Sequence, residues 1–284
     1  MPGFTIAKVT MTTNSQETSG TRPEARPLEP LSPELHGNWR LRSGTFDFAR
    51  DTPFIPLLMS EFVQASRTYP IVFSAADPSP LVLLGMDRTN LFVKDGVWGG
   101  GAAENASASS EALFAPYVPA FLRRYPFGYL KVDDSGKYIL AIDGGCEWLS
   151  TEGSEGQPLF ENGQPSALTQ SALAFCDVFQ SEAENTMAFV RALEAKDLLI
   201  DRTAELILAD GEKHMLGGFR IVERARYEQL DGPTIVEWHM KGWLQAVLFH
   251  LASLDLFAAL ARREIVERGM TLDAERTAQP EQLN

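Results

Sequence analysis

Pro116-Tyr117-Val118-Pro119-Ala120-Phe121-Leu122-Arg123-Arg124-Tyr125-Pro126-Phe127-Gly128-Tyr129-Leu130 is the stretch on which the reading of this chain turns. Pro119 suits a first helical turn, where its missing N–H is not needed, and Pro126 disfavours helix at Tyr125 and sends the chain into an extended path. The stretch therefore predicts a short helix, a corner and a strand. Tyr117, Phe121 and Tyr125 are spaced four apart, so they share one helical face, and that face is expected to be core. Arg123 and Arg124 fall in the last turn, where cations complement the partial negative charge of a helix C-terminus. Anion binding is the competing reading of the same two residues.

A similar construction precedes it. Glu61-Phe62-Val63-Gln64-Ala65-Ser66-Arg67-Thr68-Tyr69-Pro70-Ile71-Val72-Phe73 also runs from a helix with an arginine near its end, through Tyr-Pro, into an apolar strand. Superposing the Tyr-Pro pairs places Arg67 opposite Arg123 and Pro56 near Pro119. An internal duplication would put both helices on one face of one sheet with Tyr69 and Tyr125 equivalent; chance similarity is the alternative.

The chain has 284 residues, 44% hydrophobic and 22% charged, which is long enough to bury a sizeable core and ordinary for a soluble globular protein. Its formal charge of −13 argues against nucleic acid and anionic membrane surfaces as partners, because both repel it. Cys146 and Cys176 form no disulfide framework and are too few for a structural zinc site, so reduced thiols and a cytoplasmic location are expected. Residues 1–20 lack a basic segment followed by an apolar one, so no secretory signal is read there. Residues 243–261 are apolar almost all round, but Gln245, His250, Ser253 and Asp255 interrupt them, and a buried core helix is expected rather than membrane insertion.

Residues 1–30 are rich in Thr, Ser, Pro and Glu without apolar periodicity and are expected to be a disordered tail. A first edge strand is expected at 35–41, a helix at 57–68, strands at 71–74, 81–86 and 90–93, and a turn at Asp95-Gly96. The Gly/Ala/Ser run at 99–115 is expected to be a mobile loop, without the spacing of a dinucleotide-binding fingerprint. A hairpin is expected over 128–142 around Asp133-Asp134-Ser135-Gly136, and Asp133 and Asp134 read as turn chemistry rather than as a metal or acid–base pair. Residues 143–165 form a long irregular connection. Ser166 then caps the longest helix, on which Leu168, Ala172, Phe175, Phe179, Ala183, Val190 and Leu193 make one apolar stripe with Cys176 beside it. A last hairpin turns at Asp210-Gly211, a short helix covers 223–230, a helix over 241–266 closes the fold, and the C-terminal residues from 267 to 284 form a frayed tail.

These elements predict a single α+β domain over residues 31–266, with an antiparallel sheet in the N-terminal half packed by the long helix and the C-terminal apolar helix. Hydrolase, zinc-protease and phosphate-loop signatures are missing from the sequence: Lys137 lacks the following Ser or Thr and the earlier Gly that a phosphate loop requires. His214, His239 and His250 are the histidines that would have to gather around a metal. His250 lies within an apolar helix, where a hydrogen-bonded core histidine is the expected state, so neither metal nor cofactor is predicted. No catalytic residue is assigned. The binding candidates are Tyr117, Arg123, Arg124, Tyr125 and His250.

The ordered succession of Tyr69-Pro70-Ile71-Val72-Phe73, Leu83-Leu84-Gly85-Met86, Asn90-Leu91-Phe92-Val93, Gly96-x-Trp98 and Tyr117-Val118-Pro119-Ala120-Phe121-Leu122-Arg123-Arg124-Tyr125-Pro126-Phe127 resembles the bacterial SapC family. Pro158-Leu159-Phe160, Thr186-x-x-Phe189, Gly218-Phe219-Arg220-Ile221-Val222 and Gly242-Trp243-Leu244 leading to His250-Leu251 agree with it, and together they span residues 39–260. The loop before Tyr117 is longer than the family's. The resemblance implies a non-enzymatic accessory or binding protein of a surface-layer or nutrient-uptake system, since members occur beside TonB-dependent receptors, flavin-dependent tryptophan halogenases and 2-oxoglutarate-dependent hydroxylases. A partner protein or a small amino-acid or peptide ligand follows from that setting. The alternative it implies is an enzyme, or an enzyme's subunit, acting on amino-acid or peptide substrates. It supplies no catalytic motif to carry over.

Overall fold

A computed structural model describes residues 9–12, 28–85, 88–99, 116–132, 137–207 and 213–267. The Gly/Ala/Ser run from residue 100 to 115, the turns expected at 133–136 and 210–211, and the tail from residue 268 onward lie outside the described residues, as do the side chains of 205–207 and 213–215, His214 among them.

The fold is α+β. Its main sheet is antiparallel and six-stranded, in the order Val9–Thr12, Leu199–Ile207, Lys213–Val222, Ile71–Ser74, Pro80–Leu83 and Phe54–Pro56. Four of these six strands come from the N-terminal half, where the sheet is expected, and the long hairpin of residues 199–222 extends the sheet beyond it. Two pieces of the segment expected to be a disordered tail are strands: Val9–Thr12 pairs with Leu199–Ile207, and Leu28–Pro30 pairs with Tyr138–Asp143. Both are short pieces within a polar segment, and the ladder hydrogen bonds of distant strands hold them.

Apolar residues on both faces of the sheet build the main core. Ile71, Phe73 and Val222 share one face and join Phe189, Val190 and Leu193 of the long helix Ala167–Ala195 and Val247 and Leu251 of the C-terminal helices, whereas Phe219, set on the other face by the register, stacks on Phe257. Ser166 caps the long helix as expected, its hydroxyl accepting from the Thr169 N–H. Twenty-nine residues give this helix a length of about 43 Å, enough to serve two cores. Its C-terminal half packs on the main sheet, and its first turns, with Cys176, close a second core formed by Phe127, Ile142, Leu159 and Phe160. Those residues belong to a three-stranded sheet, Leu28–Pro30, Tyr138–Asp143 and Phe127–Lys131, and to the connection after it, where Leu159 is fully buried.

Local chemistry explains several joints. Asp95 and Gly96 take φ of 49° and 75° between the strands Val93–Lys94 and Val97–Trp98, the left-handed pair of a two-residue hairpin turn. Gly242 at φ 72° separates Gly232–Met240 from Trp243–Ser253, and a 3-10 turn at Leu254–Leu256 leads into Phe257–Glu267. Trp243–Glu267 has the length and hydropathy of a membrane span, yet Trp243, Ala246, Val247, His250, Leu251 and Ser253 form a buried face in the core. The expected edge strand at 35–41 is instead a turn of helix, Pro33–His36, capped by Ser32, followed by the short strand Arg40–Leu41. Pro33 in the first turn and the Ser32 hydroxyl favour helix there over strand.

Of the two readings of the Tyr-Pro corners, duplication does not hold and chance similarity does. Ile71–Ser74 lies inside the six-stranded sheet, whereas Phe127–Lys131 lies in the separate three-stranded one. The environments of the two tyrosines also differ: Tyr69 is fully buried against Phe92 and Trp98, and Tyr125 is half-buried against Phe48 and Trp148.

Candidate functional site

The corner that opens the sequence reading is built around a residue from outside it. Ala120–Arg123 is a helix of one turn, preceded by Pro119, which has no side-chain donor or acceptor for a cap. Glu61 supplies the missing partner. Its side chain is 5% exposed, and Oε1 accepts from the Ala120 N–H at 2.7 Å and from the Tyr117 hydroxyl at 2.7 Å. Oε2 accepts from the Leu58 N–H at 2.9 Å. One buried carboxyl group thereby ties the start of two short helical segments to a tyrosine. The two corners are also joined directly, because the Tyr69 hydroxyl donates to the Tyr117 carbonyl at 2.6 Å and accepts from Trp98 Nε1 at 3.2 Å.

The helical face expected to be core is not. The helix is too short to carry Tyr117, Phe121 and Tyr125 together; all three are half-buried, and Ala120 and Leu122 point inward. Tyr117 and Phe121 instead receive the arginines, together with two rings of the long helix. The Arg123 guanidinium lies 5.7 Å from the Tyr117 ring centre and 5.4 Å from that of Phe175, while Arg124 lies 4.6 Å from Phe121 and 4.7 Å from Phe179. Phe175 and Phe179 are neighbours four apart on the long helix. Two cations and four rings thus clasp the corner to that helix through cation–π contacts. Arg123 Nε donates to the Val118 carbonyl at 3.0 Å and Nη2 to the Tyr117 hydroxyl at 3.1 Å, so the exposed guanidinium is held at two points as well as by its faces.

Tyr125 stacks on Phe48 with ring centres 4.1 Å apart and 12° between planes, and its hydroxyl donates to Asp143 Oδ2 at 3.0 Å. The buried Asp143 also accepts from the Gly145 N–H through Oδ1 at 3.0 Å. Burial raises the Tyr125 hydroxyl well above its ordinary range, with Cys146 and Asp143 adding to the effect. Tyr117 is pushed up to about 12, first by burial and then by Glu61, with Arg123 opposing. The tyrosines of the corner therefore stay protonated at neutral pH.

His250 stands apart from this cluster. It is fully buried; Nε2 accepts from the Val222 N–H at 3.0 Å, the ring meets Phe73 edge-on, and Nδ1 has no well-formed hydrogen bond. Ser253, one turn on, accepts from the Ile71 N–H and donates to the His250 carbonyl. Together they stitch the C-terminal helix to two strands. Desolvation lowers the His250 pKa to about 4, offset in part by the Ile71 backbone, so the imidazole is neutral. His239 is exposed on the preceding helix, and among the described residues no group of three or more His, Cys, Asp or Glu is placed to hold a metal.

The structure thus brings Tyr117, Arg123 and Arg124 into one cluster with Glu61, Phe121, Phe175 and Phe179, sets Tyr125 on its far side against Asp143, and keeps His250 in the core. Glu61 is the residue sequence reasoning missed. Its signal was a single carboxylate in the otherwise apolar run Phe54-Ile55-Pro56-Leu57-Leu58-Met59-Ser60-Glu61-Phe62-Val63, where burial demands partners.

No curated protein and no solved structure matches this chain. The SapC family model matches residues 31–260, well over half of the sequence. That interval contains both tyrosine–proline corners, the two cores and the arginine–aromatic clasp, and the chain belongs to the SapC family.

Proposed function

We propose that this SapC-family protein is a non-enzymatic accessory or binding protein, and that the arginine–aromatic cluster at the corner is its recognition surface. One observation carries the reading: the shifted ionisable groups at and around the corner are moved away from neutrality and toward their uncharged forms. Tyr117 is pushed up to about 12, Tyr69, Tyr125 and Tyr129 are raised, and the Cys176 thiol is raised by burial. General acids and bases work best with a pKa near the operating pH. Groups locked on the uncharged side make a rigid scaffold, and the exposed guanidinium fixed upon it is suited to holding a partner. The surface-layer or nutrient-uptake setting associated with the family fits such a role, with a protein or a small amino-acid or peptide ligand as the bound species.

The experiment is affinity capture from an extract of the producing cell with wild-type and Arg123→Gln baits, followed by mass spectrometry of proteins and small molecules. The reading expects a species enriched by the wild-type protein, depleted with the variant, and chemically identical to its form in the extract. A captured species consumed or altered by the wild-type bait favours an enzyme instead.

A further inference from the structure

We infer that Arg123 is the seat of a carboxylate carried beside an aromatic group, an inference that rests on reading this corner as a binding surface. Two of the three guanidinium nitrogens are engaged within the protein, Nε by the Val118 carbonyl and Nη2 by the Tyr117 hydroxyl. Nη1 has no acceptor, and the exposed Arg123 makes no ion pair among the described residues. Six other exposed or half-exposed cations, Arg50, Lys196, Arg202, Arg220, Arg226 and Lys241, each face a carboxylate, while Arg40 and Arg42 donate to backbone carbonyls and Arg263 lies over the Phe92 ring. Arg123 combines two rings with two internal hydrogen bonds.

An exposed ion pair contributes little because ordering two long side chains offsets the Coulomb gain. Here the fold has already ordered the cation: its faces rest on Tyr117 and Phe175, and Tyr117 is anchored by the buried Glu61. An incoming carboxylate meets a preorganised donor, and a charge-assisted hydrogen bond to Nη1 forms without that ordering cost. The charge of the site favours a monoanion. Glu61 lies one hydroxyl away from Arg123, and the chain carries a formal charge of −13, so a doubly charged phosphate is repelled more strongly than a carboxylate. The Tyr117 and Phe175 rings beside the cation offer an apolar neighbour to a flat group attached to the acid. A free aromatic acid and an acidic side chain beside an aromatic residue in a peptide present the same chemistry.

The test uses the full chain labelled with 15N-arginine, with the Arg123 side-chain resonance assigned by its loss in Arg123→Lys. It is titrated with phenylacetate, with its neutral counterpart phenylacetamide, and with N-acetyl-glutamyl-phenylalaninamide. Saturable perturbation of the Arg123 signal by an acid, about tenfold or more tighter than by phenylacetamide, is expected from one charge-assisted hydrogen bond. Read through the ligand's own proton line widths, which need no signal from Arg123, Arg123→Gln should weaken the acid by a similar factor, and Arg67→Ala, at the other corner, should leave it unchanged. Tighter binding of the dipeptide assigns the acid to a peptide, and tighter binding of phenylacetate assigns it to a free molecule. Equal binding of acid and amide by the wild-type protein, retention of binding in a folded Arg123→Gln, or failure of either acid to saturate overturns the inference. If a bound acid is chemically converted on standing, the carboxylate seat stands and the non-enzymatic reading fails.

Discussion

Replacing Glu61 is the sharpest perturbation of the corner. In Glu61→Ala the N–H groups of Leu58 and Ala120 lose their acceptor while both residues remain within the core, at 8% and 5% exposure. A buried donor left unsatisfied costs about 1–3 kcal/mol. Two such donors, with the Tyr117 hydroxyl half-buried and able to find water, place the loss at roughly 3–5 kcal/mol. Glu61→Gln keeps the shape and one oxygen. It can still serve Ala120 and Tyr117, but its amide nitrogen must then face the Leu58 N–H, so a loss of about 1–3 kcal/mol is expected. Chemical denaturation followed by circular dichroism reads both, and the ranking Ala worse than Gln worse than wild type is the expected outcome. A Glu61→Ala protein within 1 kcal/mol of wild type would refute the assignment of Glu61 as the anchor of the corner.

Further outcomes follow from the same geometry. Phe121→Ala should cost only about 1–2 kcal/mol, because its ring is half-buried and its partner is the Arg124 guanidinium; a loss above about 3 kcal/mol would point to a core position. His250 has a folded pKa near 4, below the ordinary 6.5, so its contribution to stability is complete above pH 6.5 and is lost as pH falls through 4. That loss is on the order of 3 kcal/mol, and the pH dependence between 6.5 and 4 should shrink in His250→Gln; an unchanged profile would contradict a neutral buried imidazole. Cys146 and Cys176 are both buried, so a thiol reagent should react with neither under native conditions and with both after unfolding; fast native labelling of Cys176 would speak against the packing of the second core.

Much of this fold was readable because its signals are local. The Asp95-Gly96 turn, the hairpin Phe127–Lys131 with Tyr138–Asp143, the long helix behind Ser166 and the C-terminal helices each announce themselves within a few residues. The misread parts depend on contacts distant in sequence. Val9–Thr12 alternates apolar and polar for only four residues inside a polar segment, and Leu199–Ile207 offers it the ladder that makes it a strand. The corner helix looked longer because Tyr117, Phe121 and Tyr125 repeat every fourth residue, yet Tyr117 lies before the helix, Tyr117 and Phe121 receive arginines, and Tyr125 stacks on Phe48. Tyrosine–proline similarity suggested equivalence between corners that lie in different sheets. Glu61 could be singled out as a buried carboxylate in an apolar run, but not its three donors, of which two come from a segment more than fifty residues away.

The central claim is that this protein binds without transforming what it binds. The most direct measurement incubates purified wild-type protein with the species it captures from the producing cell, and follows the amount bound and the mass of both partners over time. The account predicts saturable, stoichiometric retention of an unchanged molecule that Arg123→Gln weakens. Conversion of more than one equivalent of that molecule per protein chain contradicts it.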